Sequence, residues 1–200
     1  LMARGSVTFQ AKERPFSWQI GYDLNRERLT GDKILDGAQE ALDLAAFTSI
    51  EYRPHEKLTL RPGLRVAYHN RYDAPLTPSF HLRYSPSYQW TIKASYARGF
   101  RAPGLKELYL DFVDINHDIQ GNPNLEAETA DHVQAQVNWQ QLKGKQLHQI
   151  EGQVFFNDVR QKIQLANTGE SAISFTYLNL DRIRNFGSLI EWKWRFGDWN

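Results

Sequence analysis

Apolar side chains recur at every second position along most of this chain. Trp18, Ile20, Tyr22 and Leu24 fall on one side of a run whose other side is Gln19, Gly21, Asp23 and Asn25. Leu58, Leu60, Pro62, Leu64, Val66 and Tyr68 likewise oppose Thr59, Arg61, Gly63, Arg65, Ala67 and His69. A period of two is the signature of a β-strand whose two faces meet different surroundings. The same alternation marks Val7–Lys12, Leu44–Arg53, Phe80–Ser85, Trp90–Ala97, His132–Trp139, Gln149–Asn157 and Gly187–Phe196, and a further strand runs through Phe175–Leu180. The pattern predicts an all-β, antiparallel chain of about ten strand segments. Pro62 has no N–H to give to a ladder, so it must sit where that bond is dispensable.

The connections alternate as regularly as the side chains. Short turns at Glu13–Pro15, Pro54–Lys57, Ser85–Ser87 and Leu142–Lys145 take turns with longer links at Arg26–Asp43, Arg71–Thr77, Gly99–Glu128 and Gln161–Ser174. Within the first of the long links, Ala38–Leu44 has the composition of a short helical turn. Leu58–His69 is long for a globular strand, which averages about 5–6 residues, and matches the roughly 9–11 tilted residues that cross hydrocarbon. The polar face carries Arg, Lys, Glu, Gln, Asn and His, too polar for the interior of a small soluble barrel. Trp18, Tyr52, Tyr68, Trp90, Trp139 and Trp192 lie near strand ends, as interface girdles do. Together these features predict a transmembrane barrel with short periplasmic turns and long extracellular loops. Alternation alone also permits a soluble antiparallel sandwich with one solvated face.

Composition does not decide between them. A hydrophobic content of 41% and a mean hydropathy of −0.59 would ordinarily indicate a soluble protein, and no apolar run approaches the roughly 18–20 residues of a membrane helix. A barrel escapes such measures because lipid-facing and lumen-facing residues alternate. Six Trp, nine Tyr and eleven Phe suit that alternative. Twenty-four basic and twenty-three acidic residues leave a net charge of +1, which gives no support for a nucleic-acid-binding surface. Cysteine is absent, so neither a disulfide nor a thiolate metal site exists. No phosphate-cradling Gly-rich loop, His-Glu-x-x-His or Gly-x-Ser-x-Gly occurs, and the chain reads as a non-enzyme. The acidic run Asp111–Asp118 lacks the glycine and closing glutamate of a calcium loop.

The largest break in the strand pattern runs from Tyr96 to Thr129. It opens with Tyr96-Ala-Arg-Gly-Phe-Arg-Ala-Pro103 and closes with Gly121-Asn-Pro-Asn-Leu-Glu-Ala-Glu-Thr129; between them stand Leu105-Lys-Glu-Leu-Tyr109 and His117. The boxes Phe100, Arg101, Ala102, Pro103 and Asn122, Pro123, Asn124, Leu125 resemble those of TonB-dependent outer-membrane receptors, and as a pair those of the haem-receptor branch. Phe155-Phe-Asn-Asp-Val159 and Tyr177–Trp194 are similar to later barrel strands of the same superfamily. The resemblance implies an outer-membrane location in a Gram-negative bacterium and a barrel of 22 strands closed around a plug. It implies uptake of an iron-bearing ligand, haem first, with a siderophore or cobalamin as the near alternative. Its partners would be outer-membrane lipid, the TonB complex through the plug, and a small iron ligand or haemoprotein. The chain shows no plug, TonB box or signal peptide, so a central-to-late section of such a barrel is expected over residues 1–200. In haem receptors of this kind a histidine between the boxes is an axial haem ligand, which makes His117 the candidate for iron. Arg98 and Arg101 are candidates for an anionic ligand group or for anchoring ion pairs with Glu107, Glu126 or Glu128. Pro103 and Pro123 suit exit from and re-entry to the ladder. His69, His81 and His132 fall on the polar face and are expected to be structural.

Overall fold

A computed structural model of the chain describes residues 1–10, 15–169 and 171–197. Nine long strands form one antiparallel sheet in chain order: β1 (Met2–Gln10), β2 (Phe16–Thr30), β3 (Ala38–His55), β4 (Leu58–His69), β5 (Thr77–Ser87), β6 (Trp90–Arg101), β9 (Glu128–Lys143), β10 (Gln146–Asn167) and β11 (Ser174–Phe196). Between β6 and β9 the chain inserts a short helix α1 (Leu105–Tyr109) and two three-residue strands, β7 (Asp111–Val113) and β8 (Asp118–Gln120). β7 and β8 extend the sheet beyond β11, with β8 running parallel to β11 at Ser174–Thr176. The sheet does not close on itself: β1 is one edge, and β7 the other.

The register turns the period of two into two continuous surfaces. Trp18, Ile50, Leu64, Phe80, Tyr96, Val133, Phe156 and Phe186 all fall on one face, as the cross-strand pairs require. Most of the large apolar side chains left exposed lie here. An apolar face this wide has no solvated counterpart in a monomeric soluble protein, but it is what a bilayer covers. From Leu58 to Tyr68 the apolar run of β4 spans ten residue steps, about 33 Å along the strand and about 25 Å across a bilayer at barrel tilt. Toward the short-turn end the face carries Trp90 and Trp139, whose rings lie 6.5 Å apart, and Trp192 beside the His148 ring at 6.5 Å.

The opposite face is polar and self-paired. Asp23 accepts from both Arg4 and Arg65, and Glu51 from both Arg53 and Arg61. His69, His81 and His132 lie on this face; His132 sits between Asn157 and Gln134, and His81 lines a polar concavity of about 630 Å³ together with Arg61, Arg83 and Lys93. Phe47 and Phe155 interrupt it, lying over Gly21 and Gly187 on the neighbouring strands, where any Cβ would collide with the ring.

The connections alternate as the sequence implies. Glu56-Lys57, Tyr88-Gln89 and Gly144-Lys145 are two-residue turns at one end, and residues 31–37, 70–76, 102–127 and 168–173 form the longer links at the other. Most of the turn expected at Glu13–Pro15, and the tip of the loop at Glu170, lie outside the described residues. Several expectations are corrected. Ala38–Leu44 is strand, not a helical turn, because it pairs with Leu24–Thr30 through ladder bonds and an Arg26–Glu40 ion pair at 2.9 Å. β10 runs to Asn167 rather than ending near Gln161. The segments Phe175–Leu180 and Gly187–Phe196 are one strand, since Asp181–Asn185 stays in register with β10. The ten expected segments thus become nine long strands, and β7 and β8 bring the sheet to eleven. Pro62 lies where the β3–β4 register passes from Ser49–Gly63 to Tyr52–Leu60 with no bridge at the proline, while β4 keeps its pairing with β5 there.

The facing assignment makes a direct prediction. Val154 lies mid-band on the apolar face, beside Ala135 and Ser188, and Gln153 on the polar face. In the receptor folded into lipid vesicles, Val154→Arg is expected to cost about 2–4 kcal/mol of unfolding free energy in a denaturant titration. Gln153→Arg is expected to change it by less than about 0.5 kcal/mol. Equal effects at both positions contradict the assignment.

Candidate ligand-binding site

Residues 102–127 form a strap over the polar side of the sheet at the long-loop end. β6 ends at Arg101, and the buried Pro103 turns the chain out of the ladder. Gly104 then donates its N–H to Glu107 Oε2 at 2.7 Å, which caps α1. Leu105 and Leu108 on α1 are each only 1% exposed, and α1 lies against β2 and β3. Beyond it Leu110 bridges Ile34 in the β2–β3 link, with Leu35 N–H donating to Tyr109 O at 2.9 Å and Asp111 N–H to Lys33 O at 2.8 Å.

At its other side the strap is fixed to β10 and β11. Asp118 accepts from Ser174 Oγ at 2.6 Å, and Thr176 Oγ1 donates to Gln120 O at 3.1 Å. Gly121 passes so close to the Leu108–Tyr109 peptide that a Cβ would sit 2.6 Å from its atoms. Asn122 donates to Tyr177 O at 2.9 Å and accepts the Asn124 N–H at 3.0 Å, folding Asn122–Leu125 into a turn. Pro123 and Asn124 are exposed at the turn's surface, and Leu125 packs with Leu108 and Ile163 in the one buried cluster among the described residues. Glu126 and Asn179 exchange two bonds, N–H to Oδ1 at 2.8 Å and Nδ2–H to O at 3.0 Å.

One box residue, Arg101, joins two carboxylates. Arg101 donates to Glu107 at 2.9 Å and to Glu128 at 2.8 Å, and Glu128 also accepts the Ile163 N–H at 2.7 Å with Lys162 Nζ at 3.4 Å. A buried carboxylate is tolerable only when it is fully paired, so this group ties both ends of the strap to β10. Arg98 is not part of it. Successive strand residues face opposite ways, so Arg98 lies with Tyr96 on the apolar face while Arg101 lies on the polar one, and the two guanidiniums do not form a single anion clamp. Phe100 shares the outward face of Arg98, and Ala102 is half-buried at the exit from the ladder.

His117 stands at the tip of the β7–β8 hairpin, 57% exposed. Asp114 Oδ1 accepts the backbone N–H groups of Asn116 and His117, each at 2.8 Å, and lies 3.1 Å from His117 Nδ1. The Asn116 N–H foremost, then the His117 ring and N–H, hold the Asp114 carboxyl below the usual carboxylate range. The tautomer that donates from Nδ1 to this carboxylate leaves a lone pair on Nε2, and no described residue takes it up. Phe112 flanks the imidazole with ring centroids 5.8 Å apart, and Val113 and Ile115 are exposed beside it. Among the described residues no three His, Asp or Glu side chains gather to hold an ion.

Sequence reading missed a second cluster. Arg71 donates to Tyr109 Oη, to Gln39 Oε1 at 3.0 Å and to Glu40 O at 3.1 Å, while Tyr72 Oη donates to Leu125 O at 3.0 Å. Burial pushes the Tyr72 phenol up from its ordinary pKa. Arg71, Tyr72 and Tyr109 line an open hollow of about 440 Å³ together with Pro123–Leu125. They come from links far apart in the chain, and no spacing announces them.

The Arg101 node carries its own prediction. Arg101→Gln is expected to release the strap locally, by about 1–1.5 kcal/mol because Arg101 is partly exposed. Amide exchange across residues 104–127 should then quicken about tenfold while β2 and β9 keep their protection. Unchanged exchange in the strap contradicts the role.

Residues 6–200 match the family model described as "TonB dependent receptor-like, beta-barrel". An 88-residue stretch is 31% identical to an iron-regulated outer membrane virulence protein of Vibrio cholerae, covering 43% of this chain and 14% of that one. The siderophore receptor PirA of Pseudomonas aeruginosa superposes with a TM-score of 0.74 at 19% identity, over 94% of this chain and 36% of its own. The hemophore receptor HasR of Serratia marcescens, solved with its hemophore HasA and heme, superposes with a TM-score of 0.71 at 16% identity, over 97% of this chain and 39% of its own. The chain thus spans well under half the length of the proteins it matches.

Proposed function

The chain belongs to the TonB-dependent receptor β-barrel family, and from that premise we propose that it forms wall and mouth of an outer-membrane receptor for an iron-bearing small ligand, with haem as the ligand. In this reading uptake is energised by TonB through a plug, and the polar face lines the lumen. The strap closes part of the extracellular mouth and presents His117 to the outside.

The observation that carries the haem reading is the His117–Asp114 pair. Imidazole is a good ligand for haem iron, and ligating histidines typically donate their other ring N–H to a carboxylate that fixes tautomer and orientation. Here Asp114 lies 3.1 Å from Nδ1, which leaves Nε2 for iron. Phe112, Val113 and Ile115 supply apolar surface for a porphyrin face. Arg101 serves by holding the strap, and Arg98 is assigned no ligand contact. The likeness to a receptor solved with heme is matched by the likeness to siderophore receptors, so the reading rests on the His117–Asp114 pair and not on them.

A ferric-siderophore reading rests on the Arg71, Tyr72 and Tyr109 hollow, where a cation and phenols face the open mouth, and on the likeness to siderophore receptors. One titration separates the two. In the full-length receptor, His117→Ala is expected to weaken haem binding at least about tenfold and to alter the Soret band, and Asp114→Asn to weaken it by about tenfold through loss of the orienting partner. Unchanged affinity and spectrum in both variants overturn the haem assignment and leave the siderophore reading standing.

A further inference from the structure

We propose that an arginine cluster on the apolar side of β6, β9, β10 and β11, just above the aromatic band, binds the phosphate groups of lipid headgroups in the outer leaflet. The proposal rests on reading this sheet as a membrane wall. Its residues are fixed by register. Tyr96, Val133, Phe156 and Phe186 form one cross-strand row on the apolar face, and the next row toward the long loops is Arg98, Asp131, Asp158 and Arg184. The row after that is Phe100, Thr129, Arg160 and Arg182. A polar residue expected to face lipid is costly in the band itself, so the change from aromatic to guanidinium between adjacent rows marks the edge of the hydrocarbon. Two residues along a strand is about 7 Å, and the headgroup zone adds about 5–8 Å to each side of the core. The guanidiniums therefore sit at the depth of the phosphates.

Four arginines against two aspartates leave the patch cationic, and its internal pairing is incomplete. Asp158 is buried and accepts from Arg182 at 2.6 Å, with Arg184 Nε at 3.7 Å. Asp131 is taken by Tyr96 Oη at 2.7 Å. The Arg160 side chain is exposed and makes no hydrogen bond or close ion pair among the described residues, though its charge acts on Asp158, and Arg98 Nε is buried with no acceptor. Asp158 takes up Nε and one terminal nitrogen of Arg182 and lies 3.7 Å from Nε of Arg184, so the remaining N–H groups of both, with those of Arg160, are left on the same face. Planar guanidinium forks match phosphate oxygens in bidentate fashion. The exposed rings of Phe156 and Phe186 directly below are placed to meet the first acyl carbons of the same molecule.

The test uses the full-length receptor in detergent with added lipid A, a bis-phosphorylated glycolipid, and phosphatidylcholine as the zwitterionic control whose one phosphodiester is balanced by its own ammonium, read by native mass spectrometry. Wild type is expected to retain lipid A through delipidating washes and to lose phosphatidylcholine. Arg160→Gln, which removes no internal bond, should lower retention several-fold, and Arg160→Gln with Arg182→Gln at least tenfold. Lys193→Gln on the polar face should leave retention unchanged. Retention of lipid A by the double variant at the wild-type level overturns the proposal, as does equal retention of phosphatidylcholine. Folding of the same samples into phosphatidylcholine vesicles is measured in parallel. Failure there strikes the membrane-wall reading itself, whereas normal folding with undiminished lipid A retention strikes only the phosphate site.

Discussion

A β-strand sends successive side chains to opposite faces, and a shift of one residue in its pairing exchanges the two sets entirely. In this sheet nine long strands hold one consistent register, so that Trp18, Leu64, Tyr96 and Phe156 share a surface and Asp23, Arg65, Lys93 and Gln153 share the other. Neither surface suits water on both sides. The apolar one needs a bilayer, and the polar one is satisfied by pairs such as Asp23 with Arg4 and Arg65. The low mean hydropathy of the chain and its membrane location thus have the same origin: half of each strand is written for a different solvent.

The second layer of structure depends on that sheet without belonging to its pattern. The strap buries Leu105, Leu108 and Leu125 against the rim. What fixes its course is polar: Glu128 collecting Arg101, Lys162 and the Ile163 N–H, and Asn122 and Asn179 satisfying backbone groups on facing segments. Because Arg101 precedes the strap and Glu128 follows it, one ion pair closes the segment at its base, and the β7–β8 hairpin is left to project from the far side. His117 gains its exposure from this layout and its orientation from Asp114, three residues away.

The strands were legible from the sequence because each local choice agreed with the global fold: period two, turn residues at the short-turn end, aromatics near the strand ends. The strap showed as the largest break in that pattern, and the resemblance of Phe100–Pro103 and Asn122–Leu125 to the family's boxes marked its two ends. Illegible were contacts made by chain return. Arg71 meets Tyr109, and Tyr72 meets Leu125, only after the strap has folded back over the 70–76 link. Face assignments were also readable yet easy to neglect: Arg98 and Arg101 look like a pair in sequence and are separated by the strand's own geometry.

The errors in strand length share a cause. Arg26–Thr30, Ala38–Asp43, Lys162–Asn167 and Asp181–Asn185 read as loop because their outward positions turn polar, and in most soluble sheets that signals a turn. In a barrel it signals only that the strand has left the hydrocarbon while the ladder continues, since backbone pairing is demanded by the sheet and side-chain polarity by depth. The charged interval at Asp181–Asn185 is the sharpest case, with Arg182 and Arg184 opposite Arg160 and Asp158 in unbroken register. Read as a turn, those arginines would be solvated loop charges with no common direction. Read as strand, they are held in two adjacent rows on one face, directly above Phe156 and Phe186, where the neighbouring phase is the headgroup layer. The feature that hid the strand from sequence is the one that gives the outward arginines a partner.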